Sequence, residues 1–204
     1  MTYEFAGSIK AGKKVVVQAK LQGSFDVRPG DPCDRYITMI NSHDGSTGLK
    51  AFFTPIRLFC MNQLQAALKG AISSVSLRHT VNASQRMHDA MQVFGLSENY
   101  FEHFKERAAF LDNKIVDAQM VGRFLDEVVG NTGSTKNSNH RNEVTRLFEQ
   151  GKGNGQGSAY DLYNGLTEFV DHSKISDDEK RYESALVGAG ARMKQAAWEV
   201  ALSL

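Results

Sequence analysis

Over roughly the first third of the chain apolar and polar positions alternate with the period of a strand; over most of the rest they recur with the period of a helix. Residues 3–10 and 14–21 are two strand-like runs. Ala11, Gly12 and Lys13 between them supply a glycine for a tight connection, so the pair reads as a β-hairpin. The stretch 23–34 holds two of the three prolines, Pro29 and Pro32, and reads as a loop. A third strand follows at 35–40, and 49–54 returns as a fourth after a connection rich in turn formers. Pro55 donates no ladder hydrogen bond and must sit at an edge, a bulge or a strand end. Asn62 is placed to cap a short helix through Leu64 and Leu68 that Gly70 stops, and 75–79 reads as a further short strand.

From about residue 82 the pattern is helical. It predicts helices over 82–94, from Ser97 to about Leu111, and from Asp117 to Gly130, the last with Met120, Val121, Phe124, Leu125 and Val128 on one face. Residues 130–139 are polar and aperiodic and read as a mobile loop, followed by a helix to Gln150. Residues 151–157 alternate glycine with polar residues, a glycine-rich loop, and two helices close the chain around 158–173 and 177–203, with a break at Gly188 and Gly190. The expected class is therefore α+β: an N-terminal antiparallel sheet, a β-hairpin plus two or three strands, packed on a helix and followed by a mostly helical C-terminal half. Residues 1–81 form the β-rich core with its packed helix. Residues 82–204 form a helical region continuous with it.

Composition changes this picture little. Forty-one per cent hydrophobic residues over 204 positions can bury a core, and the two cysteines, Cys33 and Cys60, offer no zinc-type spacing and read as free thiols. No apolar run approaches the roughly 20 residues of a membrane span, so the expectation is a cytoplasmic protein with no membrane partner. The 24 basic and 23 acidic side chains nearly cancel, so a polyanion site would have to arise from local segregation of charge or from assembly. The first hairpin provides such segregation: Lys10, Lys13, Lys14 and Lys20 stand against one acid, Glu4. Solvated edge lysines that block strand aggregation explain the same pattern.

Several stretches resemble one known family. They are AGSIKAGKKV at 6–15, NSHDGS at 41–46, TPIRLFCMNQL at 54–64, SLRHT at 76–80 and AYDLYNGLTEFVDH at 159–172, followed by a helix bearing Leu186, Val187 and Gly188. In order and spacing they are similar to the phage/plasmid-like proteins, a family classed as a domain of unknown function. Members carry a further segment ahead of the hairpin, whereas this chain begins almost at it, as a minimal version or without an upstream piece. The family lends relatedness and no chemistry. A second resemblance, of element order alone, is to single-strand annealing proteins of the RAD-fifty-two type, in which a hairpin and a third strand curl around a long helix.

The candidate chemistry is sparse. The 130–136 stretch lacks the spacing of a phosphate loop and a preceding strand, and the 151–157 run reads as a flexible linker. His43, Asp44, His79 and Cys60 are candidates for a metal or acid/base set, but Asp44 and Gly45 more simply make a turn that Asn41 and Ser42 support. Arg57 lies in an apolar run, where a cation is paired, snorkels or faces a ligand. Arg57, Arg78 and His79, with Lys13, Lys14 and Lys50, are the candidate nucleic-acid contacts, and Tyr36 and Phe53 are candidate stacking surfaces.

The expected function is single-stranded DNA binding and annealing in phage or plasmid recombination. It would be non-enzymatic, without cofactor or metal, in a homo-oligomeric ring or filament whose subunits share one strand. The alternative is an accessory protein acting by protein contact, such as an inhibitor of a host defence. A metal-dependent hydrolase or nuclease using His43, Asp44 and His79 is third.

Overall fold

The computed structural model describes residues 2–9, 11–43, 49–58, 62–63, 74–77 and 97–204. Among them the strands are β1 (Thr2–Ile9), β2 (Lys14–Asp26), β3 (Pro32–Ser42), β4 (Leu49–Arg57), β5 (Asn62–Gln63) and β6 (Ser74–Leu77). The helices are α1 (Ser97–Asp112), α2 (Ala118–Val128), α3 (Thr135–Gln150), α4 (Ala159–Glu168), α5 (Asp178–Val187) and α6 (Ala189–Ser203), with a π-helical turn at Phe169–Ser173 after α4. The fold is α+β, as the periodicities require. None of the described helices is long and apolar enough to cross a membrane.

The sheet is antiparallel, in the order β1-β2-β3-β4-β5, with β6 also on β4. The predicted hairpin forms, and its connection places Ala11 and Gly12 at φ 52° and 86°, the left-handed pair of a tight turn. Two expectations fail here. The stretch 23–34 is mostly strand: β2 continues to Asp26 across an irregularity between Lys20 and Ser24 that holds two extra residues, with Gly23 at φ 83° within it, and β3 begins at Pro32. Asn62, expected to open a helix, is instead strand, paired with Arg57 in β5. Pro55 lies inside β4, in the interval between its pairing with β6 and with β5, where a missing N–H costs the ladder least. The helices expected over 64–69 and 82–94 lie outside the described residues.

Because directly opposed residues share a face, register sorts the sheet into two sides. Ala19, Ile37 and Phe53 form one cross-strand row, and Phe53 packs on Tyr100 and Phe101 of α1 with ring centroids 5.5 and 5.7 Å apart. Val16 and Ile40 face the other way and, with Ile9, bury Leu186 of α5. The main core continues into the helical layer, where Trp198 of α6 stacks on Phe104 and meets Tyr163 edge-on, both at 5.0 Å.

The helix starts follow local capping. Asp117 accepts from the Met120 amide and Ser134 from that of Asn137, while Ser158 and Asp161 form a reciprocal capping box. The Ser134 cap starts α3 four residues ahead of the position expected from sequence, so only 130–133 of the predicted loop remains.

Candidate functional site

Arg57 ends β4 opposite Cys33 and is fully buried. Its Nε donates to both carboxylate oxygens of Asp31 at 2.7 and 2.9 Å. Nη1 donates to Asn154 Oδ1 at 2.8 Å and the Lys152 carbonyl at 3.2 Å, and Nη2 to the Gly153 carbonyl at 2.7 Å. The guanidinium stands over the Tyr160 ring, 5.4 Å from its centroid. Fully buried and bonded through all three of its nitrogens, this guanidinium cannot reach a phosphate, so its expected role as a nucleic-acid contact is corrected: Arg57 clamps the glycine-rich loop 151–157 to the end of the sheet.

Beside it, Arg28 in the β2–β3 connection donates from Nη2 to Asp161 at 2.6 Å and Asp112 at 2.7 Å. The second oxygen of Asp161 accepts from the amides of Gly155, Gln156 and Ser158. Burial pushes the Asp112 carboxyl above its ordinary range, against the opposing pull of Arg28. Two arginines and three aspartates thus tie loop, sheet and the ends of α1 and α4 together. A cavity of about 400 Å³ between Arg28–Asp31 and Gly153–Gln156 opens above them. Arg28 and Asp161 escaped the sequence reading, since neither stands out in its own segment and only the fold joins them.

A second junction lies at the π-helical turn. Lys194, fully buried on α6, donates to Asp171 Oδ1 at 2.8 Å and the Gln63 carbonyl at 3.1 Å, and Asp171 Oδ2 accepts from the Gln63 amide. The extra residue of the turn re-aims Asp171 off the α4 path. Two of the stretches that stood out in the sequence meet here: Gln63 comes from 54–64 and Asp171 from 159–172. A cavity of about 290 Å³ lined by Gln63, Asp171, His172, Arg181 and Tyr182 lies alongside, and burial pushes the Tyr182 hydroxyl up to about 12.

Other expected contacts also turn inward. Lys14 is buried and pairs with Glu183 at 2.7 Å. Tyr36 is buried and donates its hydroxyl to Glu4, with burial as the first cause holding that hydroxyl protonated well above its ordinary range. Phe53 is 2% exposed and belongs to the core. Neither ring can stack a base and Lys14 cannot reach a phosphate, because burial and internal partners consume them. Lys20 pairs with Asp34 at 2.5 Å.

Lys13, in the hairpin turn, is exposed, and Lys50, opposite Ile40 on β4, is partly exposed. His43 is exposed beside them, its amide bonded to the Lys13 carbonyl at 2.7 Å. Arg78, His79, Cys60, Asp44 and Gly45 lie outside the described residues. Among the described residues no three His, Cys, Asp or Glu side chains are grouped to hold a metal. Cys33 is buried, with its sulfur 4.0 Å from the Tyr160 hydroxyl.

A family model matches residues 1–198, that of a domain of unknown function, DUF932. The chain belongs to this family. Its match takes in sheet, junctions and nearly all of the helical half, so the two ionic junctions lie within the DUF932 unit. No curated protein and no solved structure matches the chain.

Proposed function

We propose that this DUF932 protein binds single-stranded DNA as a homo-oligomer and promotes strand annealing in phage or plasmid recombination, without chemical catalysis. The observation that carries the reading is at the hairpin end of the sheet. There Lys13 and Lys50 remain at the surface with no carboxylate among the described residues paired to either, and His43 is exposed, its amide bonded to the Lys13 carbonyl. Two such cations per subunit hold a phosphate chain weakly, so the reading requires several subunits along one strand. Light scattering after size exclusion, with and without an oligo-dT, tests it. A large assembly and an affinity that falls steeply with salt are expected. A monomer indifferent to the oligonucleotide refutes the reading.

A second reading, action through protein contact, is favoured by β1. This eight-residue strand ends the sheet, and its outer side pairs with no described strand. It carries Phe5 44% exposed and a single charge, Glu4. Unpaired edges are templates for another strand. Pairing of β1 with its own copy closes as a two-fold dimer, so a ring or filament needs another interface.

A further inference from the structure

We propose that Lys136, Lys174 and Arg192, with the His140 imidazole beside them, form a second cationic surface, on the helical half, that docks the phosphodiester backbone of a single strand. This rests on the nucleic-acid reading above and adds to it where the strand runs.

The four groups come from three elements. Lys136 and His140 lie one turn apart in the first half of α3, Lys174 directly follows the π-helical turn, and Arg192 lies within the first four residues of α6. Lys136 and Arg192 are exposed; His140 and Lys174 are half-buried. The His140 ring rests against Phe169 with centroids 4.9 Å apart, and the Lys174 ammonium points at the Met193 thioether, 3.4 Å away. A thioether is a weak acceptor and neutralises nothing.

The setting is cationic throughout. Lys174 is held below its ordinary range by burial and then by Lys136 and Arg192. His140 is pushed down by burial and then by Lys136 and Lys174. Among the described residues no carboxylate acts on either. The buried cations differ in kind: Lys14, Arg28, Arg57 and Lys194 each have a carboxylate within 2.8 Å. A solvated helix face would scatter its charges among acids, as Arg123 with Glu127 and Arg146 with Glu143 do. Keeping an ammonium half-buried among like charges lowers stability, and an anion supplied from outside removes that cost. The partly sunken Lys174 flanked by exposed Lys136 and Arg192 suits successive phosphates of a flexible strand. Lys136 and Arg192 also begin their helices, whose dipoles add the same sign.

The test uses the full chain and a labelled oligo-dT, titrated by fluorescence anisotropy over a salt series. Each lost phosphate contact lowers the salt slope by about 0.7 for a single strand. The double variant K136E/R192E is expected to lose at least tenfold in affinity at low salt and more than one unit of slope, with unchanged circular dichroism. The variant K136R/R192K is expected to keep both. If the wild type binds and K136E/R192E binds equally well while K13E/K50E does not, the second surface is refuted and the DNA reading stands on the sheet alone. If the wild type binds no oligonucleotide, both fall.

Discussion

The same side-chain type does opposite work in two regions of this molecule. At the sheet–helix junction, Arg57 and Arg28 are enclosed by Asp31, Asp112 and Asp161, and every charge is answered within the fold. On the helical face, Lys136 and Arg192 act on Lys174, and no carboxylate among the described residues does. The junction is a structural clamp, since a planar guanidinium there joins a β-strand to the carbonyls of a loop that has no regular structure to hold it. The surface cluster is a device for something outside the chain, because charge left unanswered within a fold contributes attraction only when a counter-charge arrives. A cation's place in sequence does not reveal which kind it is. Its partners do.

Breaking the junction should produce the largest effect. Arg57→Met leaves buried Asp31 with only the longer 3.9 Å approach of Arg28 Nε in place of two short hydrogen bonds, and the carbonyls of Lys152 and Gly153 without that donor. Removing one partner of a buried pair costs about 3–5 kcal/mol, so urea unfolding should show a loss of that order. Arg57→Lys should recover little, because one ammonium cannot bond Asp31, Asn154 and two carbonyls in the directions that the fork reaches. The double variant R57M/D31L should be more stable than Arg57→Met alone. If Arg57→Met proves neutral in stability but loses DNA, Arg57 is a ligand contact after all and the division between the regions fails.

Asp112 sharpens the comparison through pH. Burial raises its folded-state carboxyl above the unfolded value, so between those two values the folded protein holds more protons than the unfolded one. Stability from this group is present at lower pH and lost as pH rises through the raised folded value. Asp177 and Glu143 shift downward, through the Lys180 amide and Arg146 respectively, and contribute with the opposite sign. The difference between wild type and Asp112→Asn, measured by denaturant unfolding across the acidic range, isolates the effect. The wild type should gain on the variant as pH falls. A gain in the other direction would mean that Arg28 outweighs burial at this carboxyl.

How much of this the sequence disclosed depends on whether the cause was local. The hairpin, the Asp117 cap and the break at Gly188 follow from a few adjacent residues and were legible. The irregularity around Gly23 was not, because a glycine and two prolines signal a loop unless the partner strand is known to run alongside. Arg57 was visible as an anomaly in an apolar run, but its partners lie 26 and about 96 positions away, and the sign of its role depends on them. The helical cluster was hidden by a boundary. With α3 started at 139, Lys136 fell in a loop and its one-turn relation to His140 disappeared; Ser134 as cap restores it. Lys174 and Arg192 join only through the packing of α6 on the π-helical turn.

The smallest expected effect on stability decides whether the surface cluster is what it is taken to be. Lys136 and Arg192 are exposed, make no side-chain hydrogen bond or ion pair with the described residues, and stand among like charges. Replacing either with alanine should therefore change unfolding free energy by no more than about 0.5 kcal/mol, as for surface sites without special contacts. The direction should be toward greater stability, since each removal relieves repulsion on Lys174. Raising the salt concentration should shrink that gain, because screening weakens the repulsion between exposed charges, whereas the loss in Arg57→Met should be nearly insensitive to salt, its pair being buried. A destabilisation of Lys136→Ala or Arg192→Ala comparable to that of Arg57→Met would place both in the structural clamp class. A small gain that fades with salt is the behaviour of charge held in readiness for a polyanion.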